Sequence, residues 1–317
     1  MKMIYDMVAI ALVGAAPIII AGLGGLFSER SGIVNIALEG IMTIGAFTTA
    51  TVVVLLENSM GTFPAIVIGL ISACVAGLLF SILHAYASIN LKADQTISGT
   101  ALNLLANGLT VYLCQIIFNQ QRTAAFRKGI MKISVPFLKD IPVIGQLLFK
   151  GVHPTFYLAI ALVFVTYFIV FKTAFGLRLR SCGEFPQASA SMGINVAKMR
   201  YIGVLASGLL AGLAGGVMVM TQDVQFTIAS IHGYGFIAIA ALIFGKWNPF
   251  GVMGAGLFFG FSQILALFAK DIQFLSKLPS EFFSSTPYIL TIVALVIFSG
   301  RTVGPKAAGE IYDSGKR

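Results

Sequence analysis

A long stretch without charged side chains decides the fold of this chain. Residues 58–91 read NSMGTFPAIVIGLISACVAGLLFSILHAYASINL and contain no Asp, Glu, Lys or Arg. An α-helix rises about 1.5 Å per residue, so roughly 20 apolar residues cross a hydrocarbon core about 30 Å thick. The stretch is therefore long enough for a tilted membrane-spanning helix together with its flanking residues.

Eight further charge-free windows lie along the chain. Together with the first, the set is 7–28, 40–56, 58–91, 95–121, 151–171, 201–222, 224–245, 247–269 and 282–300. Of the 317 residues, 57% are hydrophobic and 10% are charged, whereas a soluble domain typically carries about 25% charged residues. The composition excludes a soluble domain and predicts an all-α, polytopic transmembrane helical bundle with about nine spans.

The windows place the spans and the loops between them. We predict spans near 7–27, 33–56, 63–86, 96–118, 155–171, 200–221, 234–245, 249–269 and 286–300. The segment 234–245 is short for a full span, which indicates a broken or re-entrant helix. Residues 1–317 are expected to form one transmembrane domain with two long loops, 119–154 and 172–199, and a tail, 301–317.

The distribution of basic residues predicts the orientation in the membrane. The net charge is +9, and Lys and Arg beside the spans are the common cause of such an excess, so we expect no nucleic-acid partner. Apart from the loop 119–154, these residues concentrate on the side of 172–199 and the tail. The positive-inside rule then predicts the N-terminus outside and the C-terminus inside the cell.

Motifs that carry chemistry are missing from the sequence. There is no phosphate-binding G-x-x-x-x-G-K-[ST] loop and none of the common hydrolase motifs. Cys74, Cys114 and Cys182 form no CxxC pair, so neither a metal site nor a disulfide is indicated. We expect no catalytic residue, no metal and no cofactor.

The loop 172–199 contains the pattern of a short helix outside the membrane. Pro186 suits the first position of a helix, and Gly193 suits the position just past its end. The residues between them are mostly small, and two turns are too few for a helix that is stable alone. Two interpretations remain open at this point: a helix that docks in a groove of a partner, or an ordinary basic loop.

A resemblance to a known family bears on that choice. Residues 31–40 read SGIVNIALEG, which resembles the signature SGxxNIxxEG of ABC-importer permeases for branched-chain amino acids, simple sugars and nucleosides. Residues 207–216 and 233–245 continue the similarity. The short length and the loop IPVIG at 141–145 are most similar to the smaller permease subunit of bacterial nucleoside importers.

The resemblance implies partners and a role for the loop. It implies a protein of the bacterial cell membrane that works with ABC ATPase subunits, a second homologous permease and an extracytoplasmic substrate-binding lipoprotein. It also implies that the helix in 172–199 couples to the ATPase. The coupling candidates are Gly183, Glu184, Pro186, Ala188 and Gly193. The chain departs from the family at residues 188–191, where adjacent alanines followed by an acidic residue are usual.

Polar residues inside the second predicted span are candidates for the solute pathway. Asn35, Glu39 and Thr43 are spaced i, i+4 and i+8, so they share one face of a continuous helix. If that helix begins near Ser31, Glu39 lies about 12 Å along it. Intramembrane acids usually face a cavity or the protein interior. The three residues are expected either to line the pathway or to connect helices by hydrogen bonds.

Two further sets are defined by their spacing. Asn103 and Asn107 share a face of the fourth span and are expected either to contact the solute or to clamp two helices. Gly208, Gly212 and Gly216 repeat every four residues, a pattern that allows close helix packing. This packing is expected within the subunit or between two permease subunits.

The scarcity of intramembrane charge favours a small neutral polar solute, because an ion would need a compensating charge in the low dielectric. The favoured hypothesis is the permease subunit of an ATP-driven ABC importer that moves nucleosides by alternating access. Simple sugars or branched-chain amino acids are alternative solutes. A proton-coupled secondary transporter that uses Glu39, and a membrane scaffold without transport, are alternatives from other classes.

Overall fold

The computed structural model describes residues 2–134, 136, 141, 145, 147, 149–268 and 304–313. Within them the α-helices are α1 Lys2–Arg30, α2 Leu38–Met60, α3 Thr62–Ala85, α4 Gln95–Phe118, α5 Pro154–Tyr167, α6 Ala174–Glu184, α7 Pro186–Ser191, α8 Val196–Gln222, α9 Tyr234–Phe244 and α10 Pro249–Phe268. The π-helical turns Tyr86–Asn90 and Phe168–Lys172 prolong α3 and α5. A short 3₁₀ turn, Ile228–Ser230, precedes α9.

The predicted all-α membrane fold is confirmed. Among the described residues, six helices are long and apolar enough to cross a membrane: α1, α2, α4, α8, and α3 and α5 together with their π-helical turns. In the same residues α9 and α10 are shorter apolar helices. The predicted span 286–300 lies outside the described residues. The remaining predicted spans each coincide with a helix, although several boundaries differ.

The bundle has inner and outer helices. Most of α1, α2 and α8 is buried, whereas only about a third of α3, α4 and α5 is buried. Glycines allow the inner contacts: a Cβ on Gly212 would collide with the carbonyl oxygen of Ala73 in α3, and one on Gly45 in α2 would collide with Gly212. Gly208 faces Gly77 and Ser81 of α3 in the same way. Small residues are used for such contacts because no hydrophobic force drives helices together in lipid.

The second helix begins at Leu38, so the predicted start of this span near residue 33 was wrong, and the condition of a helix that begins near Ser31 is not met. Gly32 has φ +98°, a left-handed conformation that ends the preceding helix. Side chains then satisfy the backbone of residues 31–37, which we call the junction: Ser28 Oγ donates to the Ile33 carbonyl at 2.7 Å, and the N–H of Val34 donates to Gln95 Oε1 at 2.7 Å.

This boundary also corrects the predicted polar face of the second span. Asn35 lies in the junction and not on the helix, so it shares no helix face with Glu39 and Thr43. Glu39 lies in the first turn of α2, and the distance along a helix from Ser31 does not apply. Thr43 is buried one turn later, where its hydroxyl donates to the Glu39 carbonyl at 2.9 Å.

The broken helix predicted near 234–245 is α9, with 11 residues. At 1.5 Å per residue it is about 16 Å long, roughly half of the hydrocarbon thickness. Its carboxyl end turns through Lys246 and Trp247, both with positive φ. The Trp247 indole donates to Glu29 Oε2 at 2.5 Å, and Arg30 donates to the Trp247 carbonyl at 3.0 Å. The turn is thereby fixed on the end of α1.

Candidate translocation and coupling sites

Asn35 connects the junction to α8. Its side-chain amide donates to Ser207 Oγ at 2.9 Å, and its Oδ1 accepts the N–H of Ala37 at 3.1 Å. Asn35 is 1% exposed. A buried polar side chain is stable only when it is hydrogen-bonded, and here both ends of the Asn35 amide have partners inside the protein.

Asn103 connects α4 to the start of α2. Its Oδ1 accepts the N–H of Gly40 at 2.7 Å, and its Nδ2 donates to the Ile36 carbonyl at 3.0 Å. These are backbone groups at the beginning of a helix, where N–H groups lack partners within the helix. The side chain replaces those missing partners, and Gly40 lets α4 approach this closely because a Cβ there would lie 2.9 Å from Asn103 Cα.

Glu39 binds the amino end of α9. Its Oε1 accepts the N–H of Gly233 at 2.6 Å and its Oε2 accepts the N–H of Gly235 at 2.7 Å. A helix amino end carries a partial positive charge and unpaired N–H groups, so a carboxylate is a favourable partner. The charge of Glu39 and the positive end of the half-length helix therefore compensate each other inside the bundle.

Asn107 differs from the other four pathway candidates. It is half-buried, and its side-chain amide makes no hydrogen bond with any residue that the structure describes. It borders an uncovered face of α4 that also contains Thr100, Gly108, Tyr112 and Gln115. We call these five residues the polar face of α4.

The neighbouring outer helices expose a different surface. The exposed residues of α3 between 63 and 83, and those of α5 between 158 and 168, are all apolar. Polar side chains in membrane helices usually face a protein interior or a water-filled cavity. The exposed surface of α3 and α5 fits lipid tails. That of α4 is mixed, because the polar face lies among the exposed apolar side chains of Ile97, Leu104 and Leu105.

The helix predicted between Pro186 and Gly193 is present as α7. Gly193 has φ +79°, and its N–H donates to the Ala190 carbonyl at 2.9 Å, while the N–H of Ile194 donates to the Ser189 carbonyl at 3.1 Å. This pair of bonds is the Schellman motif that ends a helix at a glycine. Pro186 and Ser189 face inward.

The outer side of α7 is exposed and partly apolar. Gln187, Ala188 and Ser191 are exposed, and large apolar side chains flank them: Phe185 is 58% and Met192 is 82% exposed. All of these residues lie outside the candidate membrane spans. The helix therefore presents two large apolar side chains at the ends of an outer side whose other residues are small or polar.

The corner between α6 and α7 rests on the end of α1. A Cβ on Gly183 would collide with the Arg30 carbonyl oxygen, so only glycine permits this contact. Glu184 lies beside the same residue, with 3.7 Å between its Oε1 and Arg30 Nη1. Both coupling candidates thus contact the bundle, whereas Ala188 and Gly193 face away from it.

Sequence reasoning missed a segment at this end of the bundle. Residues 304–313, which we call the strap, bond to residues of several helices: the N–H of Ala307 donates to the Gly183 carbonyl at 2.9 Å. Arg200, 1% exposed, lies beneath the strap and donates to the Glu310 carbonyl at 3.1 Å. At the edge of the window 201–222, Arg200 resembles an ordinary interfacial charge, so nothing in the pattern indicates its burial.

Candidate ligands for a metal are not grouped in the described ranges, where no three His, Cys, Asp or Glu side chains lie together. The arrangement instead offers three features: a half-length helix neutralised by Glu39, a helix face with polar groups in the membrane, and a short exposed helix outside it.

Comparison with known proteins agrees with this architecture. Residues 7–298 match the family model described as "Branched-chain amino acid transport system / permease component". The guanosine ABC transporter permease protein NupQ of Bacillus subtilis is 50% identical over 306 residues, 96% of each chain. The nucleoside ABC transporter permease protein NupC of Lactococcus lactis is 43% identical over 311 residues, 98% of this chain and 97% of that one.

A more distant relative has another solute in its name. The putative glucose ABC transporter permease protein TsgC13 of Haloferax volcanii is 31% identical over 259 residues, 82% of this chain and 76% of the relative. The resemblance drawn from SGIVNIALEG is thus confirmed over nearly the whole chain. This chain belongs to the family of permease components of the branched-chain amino acid transport type, which are multi-pass membrane proteins and not enzymes themselves.

Proposed function

We propose that this chain is the permease subunit of an ATP-driven ABC importer for nucleosides in the bacterial cell membrane. The two relatives that align over nearly their full length are named as guanosine and nucleoside permeases, at 50% and 43% identity. Permeases named for glucose align at lower identity. The nucleoside assignment is favoured over sugars and branched-chain amino acids for that reason.

The observation that carries the ATP-driven mechanism is the exposed helix α7. It lies outside the candidate spans, its outer side contains Ala188, and Phe185 and Met192 are exposed at its two ends. An apolar, solvent-facing patch marks a surface that binds a partner. We assign that partner as the ABC ATPase, since this chain has no phosphate-binding loop of its own.

Within the coupling segment the residues have two different roles. Gly183 and Glu184 hold the corner of α6 and α7 against Arg30, so they receive the displacement of α7 and pass it to α1. Pro186 and Gly193 set the two ends of the docking helix. This orientation of α7 toward the ATPase requires a cytoplasmic C-terminal side, with the N-terminus outside.

For the solute pathway, the contacts favour Asn107 over the other four candidates. Asn35, Glu39 and Asn103 have their polar groups paired within the bundle, and these pairs support a role in holding helices together. Thr43 is buried and bonded to its own helix. The amide of Asn107, with donors and an acceptor, is suited to the hydroxyl groups and base of a nucleoside.

The solute is proposed to be neutral, because the acid inside the bundle is already compensated. Glu39 is bound to the positive end of α9, and neither group offers a free charge to an ion. The remaining partners are a second homologous permease, which would face the polar face of α4 across the pathway, and an extracytoplasmic substrate-binding lipoprotein that delivers the solute.

The experiment is uptake by the complete importer reconstituted in proteoliposomes. Labelled guanosine, glucose and leucine are supplied with the binding lipoprotein, with and without ATP. We expect ATP-dependent accumulation of guanosine alone. Accumulation that an uncoupler abolishes at constant ATP would contradict the proposal and favour a proton-coupled carrier.

A further inference from the structure

The strap, residues 304–313, joins the two parts of the molecule that a docked ATPase would move relative to each other. The N–H of Ala307 donates to the Gly183 carbonyl at 2.9 Å, and the N–H of Gly309 donates to the Gly32 carbonyl at 3.2 Å. Gly183 belongs to the α6–α7 corner, and Gly32 belongs to the junction that leads into α2. Ala307 and Gly309 are two residues apart, so a short piece of the strap connects the α6–α7 corner, which we call the docking corner, to the base of α2.

The other contacts of the strap fix it to the rest of the bundle. Arg200 of α8 donates to the Glu310 carbonyl at 3.1 Å, and its guanidinium lies 5.7 Å from the centre of the Tyr312 ring. Lys92, after α3, forms an ion pair with Asp313 at 3.1 Å. At the other end, a Cβ on Gly304 would lie 2.9 Å from the Trp247 ring. The strap thus spans the ends of several helices.

The docking corner has few other polar connections to the bundle. Its ion pair with Arg30 is long, 3.7 Å, and Glu184 is 38% exposed, so it contributes little. Among the described residues, the bond from Ala307 is the backbone hydrogen bond that ties Gly183 to a distant segment. Lys306 adds a cation–π contact, with its Nζ 4.9 Å from the centre of the exposed Phe185 ring.

We propose that the strap is a positioning element for transport, which transmits the displacement of α7 to the junction at the base of α2. The proposal rests on the proposed function, because it assumes that an ATPase pushes α7. When α7 moves, the Gly183 carbonyl carries Ala307 with it, and Gly309 carries Gly32. The junction holds Asn35 and leads directly to Glu39, so its displacement reaches the contacts with α8 and α9.

The test measures how much solute is moved for each ATP hydrolysed by the reconstituted importer. Ala307→Pro removes the N–H that bonds to Gly183, and a stop after residue 303 removes the whole strap. Ile311→Ala is the matched control, because Ile311 lies in the same segment and is 52% exposed. We expect both strap variants to lower guanosine uptake per ATP at least about fivefold, the lower range of coupling between sites. Assembly with the ATPase and ATP hydrolysis should persist.

Two results would overturn the proposal. The ratio of uptake to hydrolysis could stay at the parent value in both variants, whether or not the two rates themselves fall. Failure of both variants to assemble would make the strap a folding element instead. The proposed function is tested separately, because it fails only if the unaltered importer takes up no guanosine with ATP.

Discussion

The carboxylate of Glu39 accepts the backbone N–H of Gly233, 194 residues further along the chain, at 2.6 Å. The first turn of α2 therefore supplies the cap that the first turn of α9 lacks. The residue before α9 is Gly233, which has no side chain to cap the helix, and its φ of +90° suits glycine. The amino end of this short helix has no cap of its own, and an acid from another helix accepts two of its backbone N–H groups.

Glu39→Gln should destabilise the bundle, because an amide offers one acceptor oxygen where the carboxylate offers two. The NH₂ group would then face a backbone N–H of Gly233 or Gly235, and one buried donor would lose its partner. The expected loss is about 1–3 kcal/mol of unfolding free energy. Thermal unfolding of the purified protein in detergent measures it.

The control for this variant is Lys198→Gln, because Lys198 is exposed. It should unfold at the parent temperature. If Glu39→Gln also unfolds at the parent temperature and instead changes the proton dependence of uptake, the carboxylate is a proton carrier and the capping role is wrong.

Asn103→Leu and Asn107→Leu should separate stability from transport. Leu at position 103 leaves the N–H of Gly40 and the carbonyl of Ile36 buried without partners, so we expect a loss of about 1–3 kcal/mol in unfolding free energy. Leu at position 107 removes no bond among the described residues, so the stability should change by less than about 0.5 kcal/mol.

Transport should be reduced more by Asn107→Leu than by Asn103→Leu when the two variants are compared at equal amounts of folded protein. Loss of one solute hydrogen bond at Asn107 should reduce ATP-driven guanosine uptake roughly 2- to 10-fold. Two results together would place the pathway elsewhere. Asn107→Leu would take up guanosine at the parent rate, and a variant on the apolar surface of α3, such as Val75→Asn, would take up less.

The sequence predicts those parts of the fold that depend on neighbouring residues. Charge-free windows identify the helices because lipid imposes one rule on every spanning segment. Pro186 and Gly193 predict both ends of α7, since their backbone preferences act locally. The short predicted span 234–245 likewise indicates a broken or re-entrant helix, which the structure places at Tyr234–Phe244.

The features that sequence analysis missed depend on contacts between distant segments. From the sequence alone, Gly32 could either end α1 or lie inside a longer helix. The hydrogen bond between Val34 and Gln95 favours the first outcome, and it joins residues that are 61 positions apart. The burial of Arg200 requires the strap, 110 residues further along. For the same reason, the spacing of Asn35 and Glu39 suggested a shared helix face that the junction removes.

Met192→Ala should weaken the contact with the ATPase while the permease keeps its fold. The side chain of Met192 is 82% exposed at the end of α7, so its removal costs the isolated chain little. In the complex it would be buried, and loss of such an apolar contact costs about 1–3 kcal/mol, which is roughly 5- to 150-fold in affinity. Titration of the purified ATPase onto the permease in nanodiscs measures the change.

Leu104→Ala is the matched control for that variant, since Leu104 is 71% exposed on α4, far along the chain from α7. Its affinity for the ATPase should equal that of the parent. Equal affinity for Met192→Ala and the parent would show that α7 does not bind the ATPase through this end.

Gly212→Ala should destabilise the centre of the bundle by about 1–3 kcal/mol, the usual cost of overpacking. The added methyl would collide with the Ala73 carbonyl oxygen in α3, and backbone cannot move aside as a flexible side chain can. Gly254→Ala in α10 is the control, because its Cβ would meet nothing within 4 Å. That variant should be as stable as the parent or slightly more so, since Ala favours a helix over Gly. Thermal unfolding of both variants in the same detergent compares them. If Gly212→Ala and Gly254→Ala had equal unfolding midpoints, α3 and α8 would be less closely packed than the structure has them. An added methyl group at position 212 needs space that the contact with Ala73 does not leave.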